Sequence, residues 1–119
     1  MPREKERSEA NVAALLLPVS NGYRVVRFAD IICCRAEKSY SAICLAAGEE
    51  VIVSYGLSRL VQVLPEDMFF RCHHSYLINC SQVEGIDKVG SSYFLLLGEY
   101  RVPVSRSQQQ AVRGLFYQL

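Results

Sequence analysis

The stretch Met68-Phe-Phe-Arg-Cys-His-His-Ser-Tyr-Leu-Ile-Asn79 reads as a strand over 69–73 that runs into a polar turn. In an extended chain successive side chains point to opposite faces, so Arg71 and His73 share one side while Cys72 and His74 share the other. The amide of Asn79 is expected to tie backbone in the turn that follows, as short amide side chains do. Upstream, Leu57, Leu60, Val61 and Leu64 fall at i, i+3, i+4 and i+7, the apolar stripe of a short helix that Pro65 ends.

Farther upstream, short apolar runs over 15–19, 23–28, 30–36, 40–46 and 50–54 are separated by Asn21-Gly22, by the polar tip Lys38-Ser39 and by Gly48, the spacing of an antiparallel sheet. Downstream, strands are predicted over 83–89, 93–97 and 100–104, with Gly90 and Gly98 in the turns between them. A last helix is predicted from Ser105, whose hydroxyl would cap it while Gln108 reaches back, with Val112, Leu115 and Phe116 inward. The fold class is therefore mainly β, a β-rich α+β domain with antiparallel strands in small packed sheets and two short helices. Residues 1–11 are dense in charge and poor in large apolar groups, which predicts a flexible linker or terminus ahead of one domain over 12–119.

At 119 residues and 50% hydrophobic content the chain supports one core. No apolar run approaches the roughly 18 residues needed to span a bilayer. Five cysteines, an odd number without a C-x-x-C pair, fit reduced thiols and a cytoplasmic protein. The net charge of +1 gives no basic excess of the kind that announces a nucleic-acid binder. Function must come from particular residues.

The central motif, an aromatic, Arg, His, then Ser, an aromatic, two aliphatics and Asn in that order, resembles the LytTR family, the DNA-binding output domains of bacterial response regulators. Two flanking segments support the resemblance: Ala36-Glu-Lys-Ser-Tyr40 early in the chain, and Val102-Pro-Val-Ser-Arg106 before the final helix. It covers roughly residues 15–117. The resemblance implies a β-rich domain that reads DNA with loops between strands, inserted into successive major grooves. It further implies double-stranded promoter DNA as the partner, a second copy on a repeated site, and a receiver domain N-terminal to this chain or a helper protein outside it. His74 departs from the pattern, since many members have Arg, Lys or Asn there, and this alters the base contact to be expected.

Lys38, Ser39 and Tyr40 in a first loop, His73, His74 and Ser75 in a second, and Arg106 and Ser107 in a third supply the cations, hydroxyls and imidazoles that hold phosphates and read base edges. The planar fork of Arg106 suits a guanine, against the alternative of a pair with Glu99. Family analogy points His74 at DNA and leaves His73 hydrogen-bonded inside the domain. Lys38 and Tyr40 have the alternative of a solvated hairpin tip with Tyr40 packed on the sheet. Arg71 is a phosphate contact or a partner of Glu66 or Asp67, and Arg101 a phosphate contact on the strand leading to the third loop.

Cys72 is a candidate redox thiol if Arg71 and the imidazoles lower its pKa. Cys33, Cys44 and Cys80 read as buried inert thiols. His73 and His74, and likewise Cys33 and Cys34, should diverge, so no metal site is expected. Cys72 with His74 lacks an orienting third group and an oxyanion site, and no phosphate loop or paired carboxylates occur, so neither an enzyme nor a cofactor is expected. The alternative function is a protein interaction module of the same fold without DNA affinity.

Overall fold

Cys33 and Cys34 are neighbours in sequence, yet they enter different hydrophobic cores, so the one core expected is in fact two, divided by a sheet. That follows from strand alternation: both lie on a strand of a central sheet that is covered on each face. A computed structural model describes residues 12–119; the predicted linker 1–11 lies outside the described residues. The central sheet has five strands in the order β5-β4-β3-β7-β6. They are β3 (Cys33–Glu37), β4 (Tyr40–Cys44), β5 (Glu50–Val53), β6 (Phe69–His73) and β7 (Tyr76–Asn79). All the pairings are antiparallel.

On one face Cys34, Ile43, Val53, Phe69 and Leu77 pack against Leu15, Leu17 and Val26 of the hairpin β1 (Ala14–Val19) and β2 (Gly22–Arg27), and against Leu57, Leu60 and Leu64 in and after helix α1 (Leu57–Val63). A helix this short does not persist alone. Its buried leucines, each contributing about 2 kcal/mol by burial, hold it to the sheet. On the other face Cys33, Cys44, Cys72 and Ile78 meet Leu95, Leu97, Val102 and Val104 of a three-stranded meander, with Val112 of helix α2 (Gln109–Arg113). The meander is β8 (Gly85–Val89), β9 (Ser92–Leu97) and β10 (Tyr100–Val104), in the order β10-β9-β8.

Several local expectations are corrected. Residues 76–79 form a strand that the sequence pattern did not separate from the turn before it. β7 sits between β3 and β6, so Leu77, Ile78 and Asn79 are all buried and the alternation that marks a half-exposed strand is absent. The strand expected from Asp30 begins at Cys33, after a 3-10 turn at Phe28–Asp30. The first hairpin turns at Ser20-Asn21, because Val19 pairs with Gly22. No capping box forms at Ser105. Its hydroxyl donates instead to the carbonyl of Cys72 at 3.3 Å, and a 3-10 turn, Arg106–Gln108, precedes α2. Val112 is buried as expected, but Leu115 and Phe116 are exposed, since α2 ends at Arg113 before they could turn inward.

Asn79 carries the polar interior of the central sheet. Its Nδ2 donates to the carbonyls of Ile31 (3.0 Å) and Phe28 (3.4 Å), while Oδ1 accepts from the backbone N–H (3.1 Å) and hydroxyl (2.8 Å) of Ser81. The expected bond to the following turn is made, and the same amide also fastens the segment before β3, far away in sequence.

Candidate nucleic-acid interface

Strand topology brings the three predicted loops to one end of the molecule. Lys38 and Ser39 form the two-residue turn between paired Glu37 and Tyr40, and His74 and Ser75 form the corresponding turn between paired His73 and Tyr76. Because β3 pairs with β7, these turns are side by side, with their centres about two strand spacings, roughly 10 Å, apart. The backbone N–H of Ala36 donates to the carbonyl of Ser75 at 2.8 Å, which ties them. The third loop is joined by the N–H of Ser105, which donates to the carbonyl of Cys72 at 3.0 Å where β6 and β10 meet.

Each turn is held from below. Arg35, at the root of the first, donates from Nε to Glu37 (2.7 Å) and from both terminal nitrogens to Glu50 (3.1 and 2.9 Å). This straps β3 to β5 across the hairpin, and the guanidinium holds the Glu50 carboxyl below its ordinary value. Lys38 itself sits at φ +58°, the left-handed region that costs a residue with a Cβ about 1 kcal/mol. Lys38 and Ser39 are exposed, as is Tyr40, so the packed-tyrosine alternative is not what the fold adopts.

In the second turn a bulge between Phe70 and His73 breaks the simple alternation. Cys72 is fully buried in the core, whereas His74 is exposed at the tip, so the two do not share a side. The imidazoles of His73 and His74 do not diverge either; their ring centroids lie 4.2 Å apart. His73 Nδ1 accepts from the backbone N–H of Ser75 at 3.0 Å, an internal role that requires the neutral ring. Burial, with His74 alongside, pushes the His73 imidazole below its ordinary value. Arg71 donates from Nη2 to the carbonyl of His74 at 2.6 Å and so buttresses the turn from its exposed side.

The proposed redox thiol is misplaced chemically. Burial pushes Cys72 up to about 12, and its sulfur faces the carbonyl of Pro103 at 3.6 Å. A shielded thiol of that kind is a poor nucleophile, the reverse of the activated one expected. Cys33 and Cys44 are buried cross-strand partners, and Cys80 is partly exposed. Among the described residues no group of three or more His, Cys, Asp or Glu is arranged to hold a metal ion.

Arg106 and Ser107 are exposed on the 3-10 turn after β10. Arg106 does not pair with Glu99, whose carboxylate accepts instead from the N–H of Gly48 at 2.8 Å. Its Nη2 donates to Ser91 Oγ at 2.8 Å, and Gln109 Nε2 donates to the Ser91 carbonyl at 2.9 Å. The β8–β9 turn is thus a fourth element of the surface that loop-by-loop reading missed. The signal was present in the meander itself: Val104 at the end of β10 pairs with Tyr93 at the start of β9, which puts that turn beside the third loop. Arg101 stays mid-strand, stacked 4.1 Å from the Phe94 ring centre with Asp87 at 3.7 Å, and the fold does not gather it with the turn tips.

Comparison with known proteins bears on the fold and the family. Residues 21–116 match the LytTr DNA-binding domain family model. The transcriptional regulatory protein YpdB of Escherichia coli and its counterpart in Shigella flexneri are each 31% identical over 72 residues, covering 58% of this chain and 30% of theirs. The chain thus matches less than a third of the length of these relatives. A solved LytTr DNA-binding domain of a putative methyl-accepting/DNA response regulator from Bacillus cereus superposes with a TM-score of 0.74 at 25% identity, covering 88% of this chain and 97% of that one. The chain belongs to the LytTR DNA-binding domain family.

Proposed function

We propose that this domain binds promoter DNA sequence-specifically for a bacterial transcriptional regulator, with the turns at Lys38-Ser39, His74-Ser75 and Arg106-Ser107 facing the duplex. The observation that carries this is the convergence of the three turns on one end of the sheet, tied by the Ala36–Ser75 and Ser105–Cys72 backbone bonds. Arg106 and His74 supply base-edge contacts, while Lys38, Ser39, Tyr40, Ser107 and Arg71 hold phosphates and set register. Arg101, engaged by Asp87 and Phe94, contributes at most at the margin.

Two copies on a repeated site, an N-terminal receiver domain or a helper protein outside this chain, and a cytoplasmic setting complete the proposal. Among the described residues no helix is long and apolar enough to cross a membrane. The role is binding rather than catalysis, with no cofactor. The interaction-module alternative is not favoured, because the matched family is a DNA-binding one.

The test is selection of bound duplexes from a random pool, followed by anisotropy titration of the enriched sequence. A repeated motif should emerge, and Arg106→Ala and His74→Ala should each weaken binding by about 1–3 kcal/mol. With about six phosphates neutralised, affinity should fall on the order of a thousandfold between about 50 and 200 mM salt, despite the net charge of +1. No enrichment at low salt would sink the proposal.

A further inference from the structure

An arginine that reads a base edge is useful only if its fork is held at the right angle, since a long free side chain must be ordered at the moment of binding. Arg106 lies exposed on a 3-10 turn, where its own backbone offers little restraint. The restraint comes from elsewhere in the chain. Ser91 is the second residue of the two-residue turn between paired Val89 and Ser92, and Gly90, at φ +60°, supplies the left-handed conformation that the turn needs. Ser91 Oγ accepts from Arg106 Nη2 at 2.8 Å, while the Ser91 carbonyl accepts from Gln109 Nε2 at 2.9 Å, one turn of helix beyond Arg106.

We propose that Ser91 is a positioning residue for Arg106: its hydroxyl pre-orients the guanidinium, and the Gln109–Ser91 bond keeps the β8–β9 turn in place for it. The proposal rests on the DNA-binding role assigned to Arg106 above. Nη2 carries a second hydrogen, and Nη1 and Nε are also available, so the bond to Ser91 leaves a two-pronged face for a guanine. An acidic partner would neutralise the guanidinium and compete with the base; a hydroxyl orients it without discharging it. Among the described residues the bond to Ser91 is the contact that anchors the Arg106 side chain.

The two bonds to Ser91 can be separated. Ser91→Ala deletes the hydroxyl but keeps the carbonyl that holds Gln109, so the turn stays docked. Ser91→Thr restores a hydroxyl. On the enriched duplex, Ser91→Ala should bind about three- to tenfold more weakly, a cost of the order expected for freeing one long side chain, and Ser91→Thr should recover most of the loss. In an Arg106→Ala background the same Ser91→Ala change should have no effect. In the free protein, nitrogen relaxation at Arg106 Nε should report a more mobile side chain in Ser91→Ala than in wild type.

An equal loss in both backgrounds would mean that Ser91 touches DNA itself and would overturn the positioning role. So would unchanged Arg106 mobility, or full affinity in Ser91→Ala. If the wild-type domain enriches no duplex, the DNA-binding role falls and takes the positioning role with it. The relaxation measurement would still say whether the clamp on Arg106 exists, so the two failures are distinguishable.

Discussion

Asn79 offers the sharpest test of how the central sheet is held, because its four hydrogen bonds reach both the segment before β3 and the turn after β7. Replacing it with alanine leaves the carbonyl of Ile31, a residue with no solvent exposure, without the 3.0 Å bond it now accepts. An unsatisfied buried acceptor costs about 1–3 kcal/mol, and losing the bonds to Ser81 adds about 1 kcal/mol more. The expected destabilisation is about 3 kcal/mol, equivalent to a fall in Tm of about 12 °C for a domain of this size. Asn79→Asp is nearly the same shape but turns a donor into a carboxylate that faces two carbonyls. That change buries an unpaired charge and should cost more than alanine. Urea unfolding followed by circular dichroism measures both, with a lowered midpoint at constant slope expected. An alanine variant that loses less than about 1 kcal/mol, or an aspartate variant as stable as the alanine one, would refute the assignment of Asn79 as a buried donor.

The turn tips make further predictions. Lys38→Asn should raise stability by about 0.5 kcal/mol, because Asn tolerates φ +58° better than Lys, while lowering the salt slope of DNA binding by about one; reduced stability with an unchanged slope would contradict both roles. His73 is held below its ordinary value of 6.5 by burial and by His74, so the unfolded chain takes up the proton first as pH falls. Stability contributed by the neutral ring should be present above 6.5 and decline as pH drops from there toward the folded-state value, and His73→Gln should flatten that part of a stability-versus-pH profile. Cys72, pushed up to about 12 by burial, should resist an aromatic disulfide reagent in the native protein and react only as fast as the domain opens. Rapid labelling at neutral pH would restore it as a redox candidate.

Much of this was legible in the order of residues. Period-2 alternation and turn residues located most strands, the i, i+3, i+4, i+7 stripe with Pro65 located α1, and the motif at 68–79 identified the family, because these are local signals set by backbone geometry. β7 was not legible, since a strand covered on both faces loses its alternation. The helix cap failed for a related reason: the Ser105 hydroxyl had a stronger claim on it from Cys72, distant in sequence.

Charge partners were the least readable. Glu99 was a plausible partner for Arg106, and Glu66 or Asp67 for Arg71, by proximity along the chain; the fold turned Glu99 to Gly48 and Arg71 to the carbonyl of His74. Cys72 was expected to be activated by its sequence neighbours, and burial in the second core decided otherwise. The sequence by itself determined the donor chemistry, a mainly β architecture and the family. Only the tertiary structure decided that Lys38, His74 and Arg106 share one end of the sheet and that Ser91 joins them, because hydrogen bonds and burial act over a few ångströms in space whatever the separation along the chain.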